Sequence, residues 1–143
     1  MARNDLSIGL LILLGAFLVG CNAKEKQKLS RQQSGQAYTD GIAALESRDF
    51  TTAVEKLSLA LEGGWLGYST ANAYIHRSIA NAALGNYDAA IADLDMAERG
   101  EGETAETLVA RTYIFEKQGK DREAKQAWSR ARKWDRRVKK IDY

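Results

Sequence analysis

The 143-residue sequence has no proline, one cysteine and one histidine, and its charges nearly cancel. A single cysteine has no partner for an internal disulfide, and one Cys with one His falls short of a closed zinc shell. A formal charge of +2 does not mark a nucleic-acid binder. A hydrophobic content of 45% is too high for a wholly disordered chain, and the length leaves room for one domain. The parts of a catalytic site are missing too. His76 is the only imidazole, and no Gly-x-Ser-x-Gly elbow exists to present a nucleophile to it. Asp88, Asp93 and Asp95 lie in or beside a helical pattern. A calcium loop built on them would need an oxygen ligand where Ala97 stands and a glycine where Glu98 stands. No glycine-rich phosphate loop follows a strand, because no strand pattern is present. These absences predict no enzyme, no metal and no bound cofactor, and they leave His76 as a polar position on a helix.

The first twenty residues differ in composition from the rest. Arg3 and the amino terminus form a short basic start, and Ile8 to Val19 run without a charge. As a helix that run is about 18 Å long, too short for a hydrocarbon core of about 30 Å but suited to the apolar region of a signal peptide. It ends in Leu18-Val19-Gly20-Cys21, which resembles the lipobox of bacterial lipoprotein precursors at all four positions and contains the only cysteine. The resemblance implies a diacylglyceryl thioether on Cys21, cleavage after Gly20 and acylation of the new amine, commonly with palmitate. A thiolate supplies the nucleophile for this chemistry, and a small Gly20 lets a membrane protease reach the bond. Two or three acyl chains, at about 0.8 kcal/mol per buried CH₂, anchor close to permanently. An uncleaved anchor helix or a buried core helix would leave the stop at Gly-Cys unexplained. Asn22 after the cysteine, in place of the aspartate that retains lipoproteins at the inner membrane, points to the outer membrane. Residues 21–34 hold little that is apolar and read as a polar tether, either simply solvated or drawn to anionic headgroups through Lys24, Lys26, Lys28 and Arg31.

The remainder is repetitive. Ala53 and Ala60, Ala90 and Ala97, and Ala124 and Ala131 stand seven residues apart, with Leu57, Leu94 and Trp128 between them. That spacing puts a small-large-small stripe on one face of a helix, where a second helix can approach closely. Successive units begin 37 and 34 residues apart. Before each stripe the chain breaks, at Arg48-Asp49-Phe50, Gly85-Asn86-Tyr87 and Gly119-Lys120-Asp121, and a further helical pattern precedes each break: Gln36–Ser47, Ala71–Leu84 and Ala105–Gln118. The pattern resembles the tetratricopeptide repeat, of period about 34. The stretch Leu84-Gly85-Asn86-Tyr87-Asp88-Ala89-Ala90-Ile91-Ala92-Asp93-Leu94-Asp95-Met96-Ala97 carries the likeness furthest. Asp121 replaces the usual aromatic in the third unit, and the proline that often closes a repeat is absent. The expectation is an all-α solenoid of about three repeats (35–67, 71–104 and 105–135). Beyond them Trp134, Val138 and Ile141, at i, i+4 and i+7, suggest a basic amphipathic capping helix over 136–143. The loop Glu62–Tyr68 reads as flexible, with Trp65 either tucked between repeats or displayed.

The resemblance also implies a concave groove lined by the first helix of each unit. Its positions here are Tyr38, Ile42 and Leu45, then Asn72, Ile75, Ile79 and Ala82, then Glu106, Val109 and Tyr113. The basic clamp by which some family members hold a terminal carboxylate is not matched, since those positions hold Tyr38, Ile42, His76, Glu106 and Ala110. An apolar groove suits an amphipathic helix or an extended hydrophobic segment, or else the protein's own N-terminal segment or a second copy. Charge is segregated: residues 40–106 carry a net −8 and residues 107–143 a net +7. The basic end comprises Arg132, Lys133, Arg136, Arg137, Lys139 and Lys140. Lipoproteins of similar architecture serve pilus and secretin assembly or dock peptidoglycan enzymes. The sequence therefore predicts a non-enzymatic, lipid-anchored, periplasm-facing adaptor of the cell envelope that binds a protein partner and no nucleic acid, with self-association as an option. The alternative is a binder of anionic polysaccharide or lipid through the basic end.

Overall fold

The structure is a computed structural model that describes residues 29–64 and 69–143. The expected signal segment, Cys21, most of the tether, Trp65 and Tyr68 lie outside the described residues. Among the described residues six helices follow one another: α1 (Arg31–Glu46), α2 (Phe50–Glu62), α3 (Ser69–Ala83), α4 (Tyr87–Glu101), α5 (Ala105–Lys117) and α6 (Asp121–Trp134). Each odd-numbered helix packs on the even-numbered one after it, and α3 also lies against α1 and α5. The result is a stack of three helical hairpins, the all-α repeat solenoid that the alanine stripes predict, with no strand among the described residues. None of the helices is long and apolar enough to cross a membrane.

All three hairpins use one turn. Arg48 N–H donates to Leu45 O and Asp49 N–H to Ala44 O; Gly85 and Asn86 repeat the pattern on Ala82 and Asn81, and Gly119 and Lys120 on Glu116 and Phe115. This pairing closes a helix whose next residue is left-handed. That residue is Gly85 (φ 81°), Gly119 (φ 70°) and, in the first hairpin, Arg48 (φ 62°). Asp49, Asn86 and Lys120 then serve as N-caps of the next helix, and only Asp49 adds a side-chain bond, accepting from Thr52 N–H at 3.1 Å.

The stripes lie where the hairpins close. Ala53, Leu57, Ala60, Ala90, Leu94, Ala97, Ala124 and Ala131 are buried. Gly41 meets the first stripe at such short range that a Cβ there would come within 2.7 Å of Leu57 Cγ. Ser78 and Thr112, at the same register in α3 and α5, are buried as well. Their hydroxyls donate to Ile75 O and Leu108 O at 2.7 and 2.8 Å, so neither is left unsatisfied. Trp128, the counterpart of Leu57 and Leu94, is only half-buried. No helix packs beyond α6 among the described residues, and Arg132 and Lys140 cover the Trp128 ring instead, 5.9 and 5.6 Å from its centroid.

The structure corrects the sequence reading at three places. First, α1 begins at Arg31, not Gln36, so the expected tether to Ser34 is shortened. Ser30 Oγ accepts from Gln33 N–H while Gln33 Oε1 accepts from Ser30 N–H, a capping box that starts the helix early. Second, Gly63 is not a flexible-loop glycine, because a Cβ on it would fall 1.7 Å from Ser34 Oγ, where the ends of α1 and α2 meet. Third, residues 136–143 form no capping helix. Asp135 leaves α6 with extended φ −138° and ψ 117°, and its carboxylate accepts from the Arg137 backbone N–H at 2.9 Å, a local turn that competes with helix continuation. Trp134 is consequently 65% exposed, and the chain runs back to the first hairpin.

Candidate functional site

The first helices α1, α3 and α5 lie side by side and carry all ten expected groove residues. Eight of them divide by depth. Tyr38, Ile42, Asn72 and Val109 are half-buried and reach the surface. Leu45, Ile75, Ile79 and Tyr113 are only 2 to 7% exposed and belong to one apolar cluster with Leu94 and Ile114. The open apolar surface expected from the sequence is therefore narrower. Much of the rest is core, while Asn72 and Val109 stand in the early turns of α3 and α5, and Tyr38 and Ile42 in the middle and later part of α1. The Tyr38 and His76 rings meet there, with centroids 6.0 Å apart and Tyr38 Oη 3.5 Å from His76 Nδ1. Burial lowers the His76 pKa, against the opposing pull of its hydrogen bond to the Asn72 backbone and the charge of Glu46. Burial likewise raises that of the Tyr38 phenol. The open half thus offers an aliphatic and aromatic floor with a few polar tips, which suits holding a polypeptide segment.

At the other end of the same face the chain covers itself. The Tyr143 ring stands edge-on to Phe50 and to Tyr113, at centroid distances of 5.9 and 6.4 Å. Arg48 Nη2 donates to Asp142 O and Lys117 Nζ to Tyr143 O, each at 3.3 Å. The self-occupants expected from the sequence were an N-terminal segment, which lies mostly outside the described residues, or a second copy; the segment found on this face is C-terminal. No periodicity signals it, since Ile141 and Tyr143 act as separate anchors on an extended chain.

The basic end is partly neutralised. Arg137 bonds Asp135, Lys140 pairs with Glu116, and Arg132 lies over Trp128. Lys133, Arg136 and Lys139 stay exposed. Sequence reasoning also missed a polar clamp in the middle of the stack. Arg77 donates through Nε and Nη2 to the two oxygens of Asp93 (2.9 and 2.6 Å) and through Nη1 to Ser58 Oγ (2.9 Å), while Asn81 Nδ2 donates to Asp93 at 3.2 Å. The hydrogen bonds to Asp93 hold the guanidinium pKa above its ordinary value. Asp93, weighed above as a calcium ligand, instead joins α4 to α3, and through Arg77 to α2.

Three stacked hairpins with a shared turn and alanine seam define a helical-repeat scaffold of the tetratricopeptide kind. Tetratricopeptide repeat protein 36 of Xenopus tropicalis is 36% identical to the chain over 104 residues, 70% of this chain and 50% of that protein. The chain thus spans about half the length of that relative. No protein-family model matches the chain, and no solved structure matches it significantly. Fold and relative together support a tetratricopeptide-like helical-repeat architecture for the chain.

Proposed function

We propose that the chain is a non-enzymatic adaptor of the bacterial cell envelope, tethered through lipid on Cys21, that holds a segment of a protein partner along the open half of its concave face. The reading rests first on Tyr38, Ile42, Asn72 and Val109, which present a half-buried surface across three neighbouring helices. The anchor rests on Leu18-Val19-Gly20-Cys21, and the outer membrane is preferred because Asn22 follows. Capture of anionic polymer through the basic end has less support, since Arg137 and Lys140 are paired with acidic side chains.

Photo-cross-linking in intact cells tests the reading. A photoreactive residue at Ile42 or Val109 is expected to trap one envelope protein, and the same residue at Arg136 or Lys139 is expected to trap none. The Cys21→Ser chain is expected to lose palmitate labelling and to leave the membrane fraction. Cross-links only from the basic end would move the site there, and unchanged labelling of Cys21→Ser would remove the anchor.

A further inference from the structure

We propose that Ile141–Tyr143 is a displaceable internal ligand. The ends of α1 and α5 under it form a receptor for an extended segment that carries an aromatic side chain. This rests on reading the concave face as the protein-binding surface.

Four observations carry the proposal. The segment is non-helical and lies across elements far apart in sequence, touching Arg48 and Phe50 at the first turn and Tyr113 and Lys117 on α5. Its contacts are those of a bound peptide: an aromatic ring set edge-on against two others, an aliphatic anchor at Ile141, and backbone oxygens taken by cationic side chains. It is also an imperfect ligand. The hydroxyl of Tyr113, whose ring Tyr143 meets, is buried without a hydrogen-bond partner, and a competitor that brought a polar atom to it would satisfy it. Finally, its backbone is held by Arg48, the one non-glycine residue of positive φ among those described, at a position where the other two turns have glycine. A left-handed arginine costs more than a glycine there, and its side chain is the one that reaches the segment.

The polar contacts are at the surface and long, which suits release, and the short path from α6 keeps the segment at high local concentration. An incoming partner therefore needs an extended stretch of aliphatic and aromatic residues with free backbone carbonyls, and it must outcompete the tail.

A fluorescein-labelled peptide of residues 136–143, Arg-Arg-Val-Lys-Lys-Ile-Asp-Tyr, is the probe, read by anisotropy against the purified full chain. The Ile141→Ala/Tyr143→Ala chain is expected to bind it about tenfold or more tighter than wild type, whose site is filled from within. A probe with its tyrosine replaced by alanine should lose binding to that variant. Equal binding to both chains, or binding to neither while circular dichroism stays helical, overturns the proposal. Loss of helical signal in the variant also overturns it, because the segment would then be part of the fold and not displaceable. The assay uses no membrane and no cellular partner, so its failure leaves the cross-links at Ile42 and Val109 standing, and the failure of either reading is told apart from that of the other.

Discussion

At the scale of single residues, α1 contains its own control experiment. Gly35 and Gly41 sit in one helix, but a Cβ at Gly35 meets nothing within 4 Å, whereas one at Gly41 collides with Leu57. Alanine at Gly35 is expected to raise stability by about 0.5–1 kcal/mol through the lower backbone entropy of the unfolded chain. Alanine at Gly41 is expected to lower it by roughly 1–3 kcal/mol, because the Leu57 side chain and backbone must move. Urea unfolding of the two variants reads both signs, and equal shifts would mean that the α1–α2 seam is looser than its geometry. Gly41 shares its register with the buried Ser78 and Thr112, a position held by a small residue in all three first helices. Arg48 was not legible in the sequence, because nothing in an arginine announces a left-handed backbone; only comparison with Gly85 and Gly119 shows what that position requires. Ser30 and Gln33 were legible as a capping pair, yet the polar composition around them read as tether.

At the scale of elements, the hairpins and their order follow from the alanine spacing, since small side chains seven apart serve close helix packing and little else. What joins one hairpin to the next was not legible. Arg77 and Asp93 are ordinary surface residues by type, and they become central only because α3 and α4 bring them together beside Ser58 of α2. The Asp93 side chain is 7% exposed and that of Arg77 22%, so deleting either leaves the other's charge poorly solvated. Asp93→Ala or Arg77→Ala is expected to cost about 3 kcal/mol. Glu103→Ala, which breaks the more exposed pair with Arg130, is expected to cost less than about 1 kcal/mol. Chemical denaturation checks the order, and comparable losses at the two pairs would show that the clamp is no more than a surface contact. The Asp135 turn belongs to this scale too. One side chain bonding two residues ahead redirected the segment whose apolar spacing had suggested a helix.

For the whole molecule, a lone imidazole governs the response to mild acid, because no other side chain has an ordinary pKa between 5 and 8. His76 lies against Tyr38, bonds the Asn72 backbone and feels Glu46, and burial holds its folded pKa below the ordinary value. In that window the unfolded chain binds more protons than the folded one. Stability is therefore present above the ordinary histidine pKa and is lost as pH falls toward the folded value. Unfolding free energies measured from pH 7.5 to 5 should decline, and His76→Gln should flatten the decline; an unchanged slope would assign it to the carboxylates. The face on which His76 sits was half legible: the three helices that line it followed from the repeat, but its depth did not. A sequence places Ile75 and Tyr113 on the concave side without saying that neighbouring helices and the protein's own tail bury them.

The contact between Arg48 and Asp142 joins residues 94 positions apart in a molecule otherwise built from nearest neighbours. An array of repeats ordinarily frays from its ends, each unit held only by the next. Here the last segment rests on the first hairpin, so the two ends are coupled for as long as it stays docked. Contact order rises while the segment is docked, and amide exchange in the first and last hairpins is expected to be more nearly in concert than in the Ile141→Ala/Tyr143→Ala chain, whose hairpins stay folded but uncoupled.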